Sequence, residues 1–113
     1  ALFTSDASLG AGTTAYSTSN EITNSSGTAY TAGGATLTSV TPTTSGTTAL
    51  CDFADVSYTS ASFTANGALI YNSSASDKAV CAIAFGSDKT VTSGTFTIQF
   101  PTADATNAII RLA

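Results

Sequence analysis

No histidine occurs anywhere in the 113 residues. The side chain most often used as a general base near neutral pH is therefore missing, and neither a Ser-His nor a Cys-His nucleophile pair can be assembled from this chain. Methionine and tryptophan are absent too, and Lys78, Lys89 and Arg111 are the only basic residues. Three cations cannot build a phosphate-tracking patch on one copy, which excludes nucleic acid as a partner and anionic membrane with it. No apolar run approaches the length of a membrane span, and no basic-then-apolar leader opens the chain. It starts instead with Ala-Leu-Phe-Thr, already strand-like, so a preceding piece is expected to have been removed or left out.

What is present is apolar, small and hydroxylic. Charged residues make up 9%, the net charge is −4, and 42% of residues are apolar. That is far from the charged composition of disordered segments and is enough to support a core. The length fits one domain, 1–113, able to bury most of its unfolded surface.

The central stretch runs from Thr64 to Phe85. Two apolar runs, Ala68 to Tyr71 and Ala79 to Phe85, flank Asn72-Ser73-Ser74-Ala75-Ser76-Asp77, residue types that build turns. This predicts a β-hairpin, and apolar residues on both alternations predict strands covered on both faces. Before it, Ala35 to Val40, Thr47 to Phe53 and Ser57 to Phe63 read as strands. After it, Lys89-Thr90-Val91 reads as a short edge, and Thr95 to Phe100 alternates Phe96, Ile98 and Phe100 against Thr95, Thr97 and Gln99. Ala108 to Leu112 reads as the last strand. Ser76-Asp77-Lys78 recurs as Ser87-Asp88-Lys89, which is turn chemistry rather than a repeat.

No segment carries a 3.6-residue apolar stripe. The expected fold is all-β, an antiparallel sandwich or barrel-like domain of about seven to nine strands, with Phe53, Leu69, Ile83, Phe85, Phe96, Ile98 and Phe100 in its core. Residues 5 to 34 contrast with the rest. Their glycines and hydroxyl residues, with few large apolar side chains, predict a long N-terminal surface loop or arm. Within it, Tyr30 between glycines suits a tight bend that lays the ring on a neighbouring surface. Leu9, Tyr16, Ile22 and Tyr30 are the candidate anchors onto a partner subunit; an arm folded over its own sheet is the competing reading.

No catalytic, cofactor-binding or metal-binding residue emerges. Asp6, Glu21, Asp52, Asp55, Asp77, Asp88 and Asp104 are scattered, without the spacing of a calcium loop. Asp52 and Asp55 lie closest together, and both read as turn residues rather than a catalytic carboxylate pair. Asn24-Ser25-Ser26 and Asn72-Ser73-Ser74 match the N-glycosylation pattern, as chance allows in a serine-rich chain. Cys51 shares a face with Ala49 and Phe53, and Cys81 with Ile83 and Phe85, so both thiols are expected to point at one core. They are either two small buried hydrophobes or a disulfide closing a loop of about 30 residues and contributing about 3–4 kcal/mol. The bond is the expectation adopted.

Five stretches in register carry a family resemblance: Gly27-Thr28-Ala29-Tyr30-Thr31-Ala32-Gly33-Gly34-Ala35-Thr36-Leu37, Asp52-Phe53-Ala54-Asp55-Val56, Asn66-Gly67-Ala68-Leu69-Ile70-Tyr71-Asn72, Phe85-Gly86-Ser87-Asp88-Lys89-Thr90 and Phe96-Thr97-Ile98-Gln99-Phe100-Pro101. With the leading Ala-Leu-Phe-Thr-Ser, the chain resembles a family of small β-rich virion proteins of tailed bacteriophages. That resemblance implies a non-enzymatic protein on the outer surface of the virion. The role implied is a capsid decoration (cement) protein, bound to the major capsid protein and to itself as a trimer or other small oligomer. The alternative it implies is a tail or fibre domain that binds a host-surface glycan or receptor. Positions 51 and 81 depart from the family, whose members carry ordinary apolar or aromatic residues there, so a disulfide would be a local addition.

Overall fold

The structure, a computed structural model, describes residues 1–23 and 25–113. Asn24, which opens the first of the two Asn-Ser-Ser tripeptides, lies outside the described residues. The described residues form six strands: β1 (Leu2–Phe3), β2 (Ser39–Ser45), β3 (Thr48–Phe53), β4 (Val56–Asn72), β5 (Lys78–Ile98) and β6 (Ile110–Leu112). They make two three-stranded antiparallel sheets, ordered β1-β4-β5 and β2-β3-β6. The chain divides into two compact units, Ala1–Ala35 with Tyr58–Thr95, and Thr36–Ser57 with Phe96–Ala113.

The all-β expectation holds, but six strands fall short of seven to nine, because several runs read as separate strands are continuous. Ser57 to Phe63 and Ala68 to Tyr71 both belong to β4, while Ala79 to Phe85, Lys89 to Val91 and Phe96 to Ile98 all belong to β5. The turn residues between them serve as irregularities inside long strands. Ser60, Gly86 and Ser93 carry positive φ of 53°, 77° and 46°, the backbone signature of a bulge or bend rather than of a chain reversal.

In the first unit β4 is the middle strand and the core. Ala61, Phe63 and Ala65 are buried in alternation, and then Gly67 to Ile70 are buried on both faces. β1 pairs with it through Leu2↔Ala68 and Phe3↔Gly67. Gly67 is required there, since a Cβ at this position would stand 2.9 Å from the Ile83 carbonyl oxygen. The predicted hairpin is present, closed by the short helical turn Ser73–Ala75, whose first N–H groups are capped by Asn72: Ser74 N–H donates to Asn72 Oδ1 at 2.9 Å.

Coverage on both faces holds for β4 and not for β5. Val80 is 49% exposed, Ala82 and Ala84 are exposed, and Cys81, Ile83 and Phe85 are only half-buried. Of the expected core residues Leu69 is buried, whereas Phe53, Ile83, Phe85, Phe96, Ile98 and Phe100 are half-buried. β5 is the end strand of its sheet, so its side chains have a neighbouring strand on one side only.

In the second unit β2 is exposed along all seven residues. It pairs with β3, with a register shift between Val40 and Thr43 at Pro42, and β3 pairs with β6 through Leu50↔Arg111. The inward face of β3 is the reverse of the expected one. Leu50 and Asp52 are each 2% exposed, while Ala49 is exposed and Cys51 and Phe53 are half-buried. Phe53 instead meets Phe100 edge-on at 5.6 Å.

Candidate functional site

The arm folds back along its own sheet. Phe3 bridges to Glu21, and Thr4 N–H and Ile22 N–H donate to Asn20 O and Leu2 O at 2.9 and 3.0 Å. Further along, Ala15 bridges to Lys78 at the start of β5, flanked by Ala79 N–H to Thr14 O at 3.0 Å and Tyr16 N–H to Asp77 O at 2.9 Å. These contacts tie one arm to both outer strands of the first sheet.

Their hub is Glu21, the only glutamate in the chain. Oε1 accepts from Tyr30 Oη and from Gly33 N–H, both at 2.7 Å, and Oε2 accepts from Tyr16 Oη at 2.7 Å. Tyr30 Oη accepts in turn from Leu2 N–H at 2.8 Å, and Tyr71 Oη donates to Gly33 O at 2.8 Å. A carboxylate taking three donors is a strong anchor, because hydrogen bonds to an ionised acceptor are roughly twice as strong as neutral ones. Gly33 and Gly34, with φ of 90° and 81°, bend the chain so that the Gly33 amide faces the carboxylate.

All four tyrosines belong to this cluster. Tyr16 stacks on Tyr71 with ring centroids 4.6 Å apart and planes 13° from parallel. Tyr30, Tyr58 and Phe63 form a second group at 5.7–6.1 Å. Every phenol is held protonated. Desolvation and the bond to Glu21 raise the Tyr16 pKa to about 12, and the same causes raise Tyr30 further. Burial raises Tyr58 and Tyr71. Phenols with raised pKa donate hydrogen bonds and are poor nucleophiles, so the cluster clamps the arm and offers no activated oxygen.

Of the four candidate anchors, Ile22 and Tyr30 are 5% and 2% exposed in the chain's own core. They are not available to a partner. The Tyr30 bend lies where the glycine spacing places it, on a neighbouring surface of the same chain. Tyr16 is half-buried in the stack with Tyr71, and Leu9 is half-buried beside β5. In the structure Cys51 and Cys81 are free thiols, one on β3 in the second unit and one on β5 in the first. Desolvation raises the Cys81 pKa.

Asp52 is no turn residue. Its Oδ1 accepts from Phe53 N–H at 2.9 Å, while the buried Oδ2 has no hydrogen-bond partner. Asp55 accepts from Phe100 N–H at 2.8 Å. Asp104 takes the Asn107 side-chain amide and the Thr106 and Asn107 N–H groups, and these bonds, the side-chain one foremost, lower its pKa. Among the described residues, no group of three or more His, Cys, Asp or Glu is placed to hold a metal ion. Sequence reasoning missed Glu21 and Tyr71. The one available signal was a single glutamate in a charge-poor stretch, followed by Tyr30 and two glycines.

Comparison of the chain with models of protein families, with curated proteins and with solved structures finds no match.

Proposed function

We propose that the protein is a non-enzymatic structural component of a tailed-bacteriophage virion, a decoration protein on the outer face of the capsid. It binds the major capsid protein and itself, as a trimer or other small oligomer, and stabilises the shell. The five-stretch resemblance motivates this reading. The observation that carries it is the long strand β5, uncharged and apolar from Ala79 to Phe85 and incompletely covered on both faces there. Such a strand suits a crowded assembly better than a free-standing molecule. A sandwich or barrel-like arrangement of strands belongs to the same proposal, as do the absence of nucleic acid and membrane among its partners. No described helix is long and apolar enough to cross a membrane.

A receptor-binding tail or fibre domain is the second reading, favoured by the half-exposed Tyr16–Tyr71 stack. A flat aromatic surface next to serine and threonine hydroxyls is suited to a sugar ring. Copy number per particle separates the two: hundreds accord with the shell, a few dozen or fewer with the tail. For the decoration role, purified protein mixed with shells that lack it is expected to co-sediment and to raise their melting temperature. A protein that leaves both unchanged would exclude decoration.

A further inference from the structure

Asn66-Gly67 is the one Asn-Gly pair in the chain. This dipeptide loses its side-chain amide more readily than other asparagine pairs, because a following residue without a Cβ lets its backbone nitrogen reach the asparagine side-chain carbon. The fold retains the pair for two separate reasons. A Cβ on residue 67 would stand 2.9 Å from the Ile83 carbonyl oxygen. Asn66 Nδ2 donates to Asp88 Oδ1 at 2.8 Å, joining β4 to β5.

The nitrogen that would attack is held by β1. Ala1 and Leu69 bond to each other in both directions, the Ala1 ammonium to Leu69 O and Leu69 N–H to Ala1 O, each at 2.9 Å. In an antiparallel ladder the next pair bonded in this way lies two residues on, which is Phe3↔Gly67. The Gly67 N–H is therefore directed at the Phe3 carbonyl and away from the Asn66 side chain. β1 is Leu2–Phe3 and no more, and the arm fastens its outer side. Ile22 N–H donates to Leu2 O at 3.0 Å, and Leu2 N–H donates to Tyr30 Oη at 2.8 Å, whose own proton goes to Glu21. Water is not sealed out: Asn66 is half-buried, and both residues line a cavity of about 330 Å³ together with Phe3 and Thr4.

We infer that Asn66 is a deamidation site that β1 keeps shut, so that the chain is modified there when β1 lifts from β4 and not before. In the first step the Gly67 nitrogen gives up its proton and bonds to the Asn66 side-chain carbonyl carbon. The bond from that carbon to Nδ2 breaks, and the nitrogen leaves as ammonia. Water then opens the five-membered imide at either carbonyl, leaving aspartate or isoaspartate at position 66. One water is consumed, one ammonia is released, and nothing is oxidised or reduced. The product cannot restore the lost contact. It has no donor for Asp88 and brings a second carboxylate to an oxygen that Asn66 met at 2.8 Å, and like charges on facing strand positions repel. The inference is independent of the proposed attachment role.

The experiment follows the mass of the full chain at mildly alkaline pH and locates the change by peptide mass spectrometry. In the folded protein, conversion at Asn66 is expected to be at least about ten-fold slower than in the same chain unfolded in guanidinium chloride, since it must wait for local opening. Glu21→Gln weakens the fastening of β1 and is expected to speed conversion several-fold in a chain that stays folded. Asp88→Ala alters an exposed side chain and leaves the Gly67 N–H held, so its expected acceleration is smaller than that of E21Q. Equal rates in folded and unfolded wild type would overturn the inference. So would a folded E21Q that converts no faster than wild type, or a larger acceleration in D88A, which would put the restraint at the side chain rather than at β1. If E21Q does not fold, hydrogen exchange at the Gly67 amide of wild type and D88A decides: conversion is expected to follow that exchange, and conversion ahead of it refutes the hold by β1.

Discussion

Glu21 is a single carboxylate on which three donors converge. In a Glu21→Ala variant the Gly33 amide and the Tyr30 hydroxyl lose their partner, at about 1–3 kcal/mol for each buried group left unsatisfied. A loss of about 3 kcal/mol is expected, read as a lower urea midpoint at pH 7. Glu21→Gln keeps an acceptor oxygen and is expected to lose less. The tyrosines give a second, independent reading of the same cluster. Their folded-state pKa values lie above the ordinary value of 10, with Tyr16 at about 12. A group whose pKa is raised by folding stabilises the native state fully below its unfolded pKa and loses that contribution as pH rises through the folded one. Stability is therefore expected to be flat below pH 10 and to fall between pH 10 and about 12. In a phenolate absorbance titration the tyrosines should ionise together with unfolding; four phenols titrating near pH 10 in a folded chain would refute the buried cluster.

At the scale of elements, the arm is part of the fold. Residues 6–24 include Glu21, Ile22 and the Ala15 and Tyr16 contacts to β5, so deleting them is expected to unfold the first unit rather than to release a tidy β-domain. Loss of amide dispersion from β4 would show it; a truncated chain with an unchanged spectrum would mean the arm is only a cover. The sequence left this open for a physical reason. Leu9, Tyr16, Ile22 and Tyr30 are too sparse to pack among themselves, and nothing local reveals that Ala61, Phe63 and Ala65 lie buried along one alternation of β4. The hairpin, by contrast, was legible, because Ala68–Tyr71 and Ala79–Phe85 are continuous apolar runs around strong turn formers. Strand number was not, since the glycine and serine residues that signal chain reversal also supply the positive φ of bends within strands. The face of β3 failed similarly. Ala49, Cys51 and Phe53 looked the more apolar set, and burial of a carboxylate at Asp52 runs against the usual tendency.

For the molecule as a whole, the buried residues are unevenly shared. Among the described residues, ten of the twelve buried apolar ones, all but Leu50 and Ala108, fall in the first unit, and each large one contributes about 1.5–3 kcal/mol relative to exposure. The second unit relies on Leu50, Ala108 and the Phe53–Phe100 contact, and it also carries the unpartnered Asp52 Oδ2. A buried carboxylate oxygen without a donor opposes burial, so this unit holds less stabilisation and one identifiable penalty. Local opening follows such differences, with the least buried segments exchanging first. Native-state hydrogen exchange is expected to be slowest at Ala61 to Ile70 of β4, where nearly all of the buried strand residues of the first unit are consecutive or alternate. It is expected to be fastest among the strands in β2, whose seven residues are all exposed, with β3 and β6 between them. Asp52→Asn removes the buried charge while keeping an acceptor for the Phe53 amide, so it should slow exchange in β3 and β6 and leave β4 unchanged. Faster exchange in β3 for this variant would show that Asp52 holds a partner essential to the second unit.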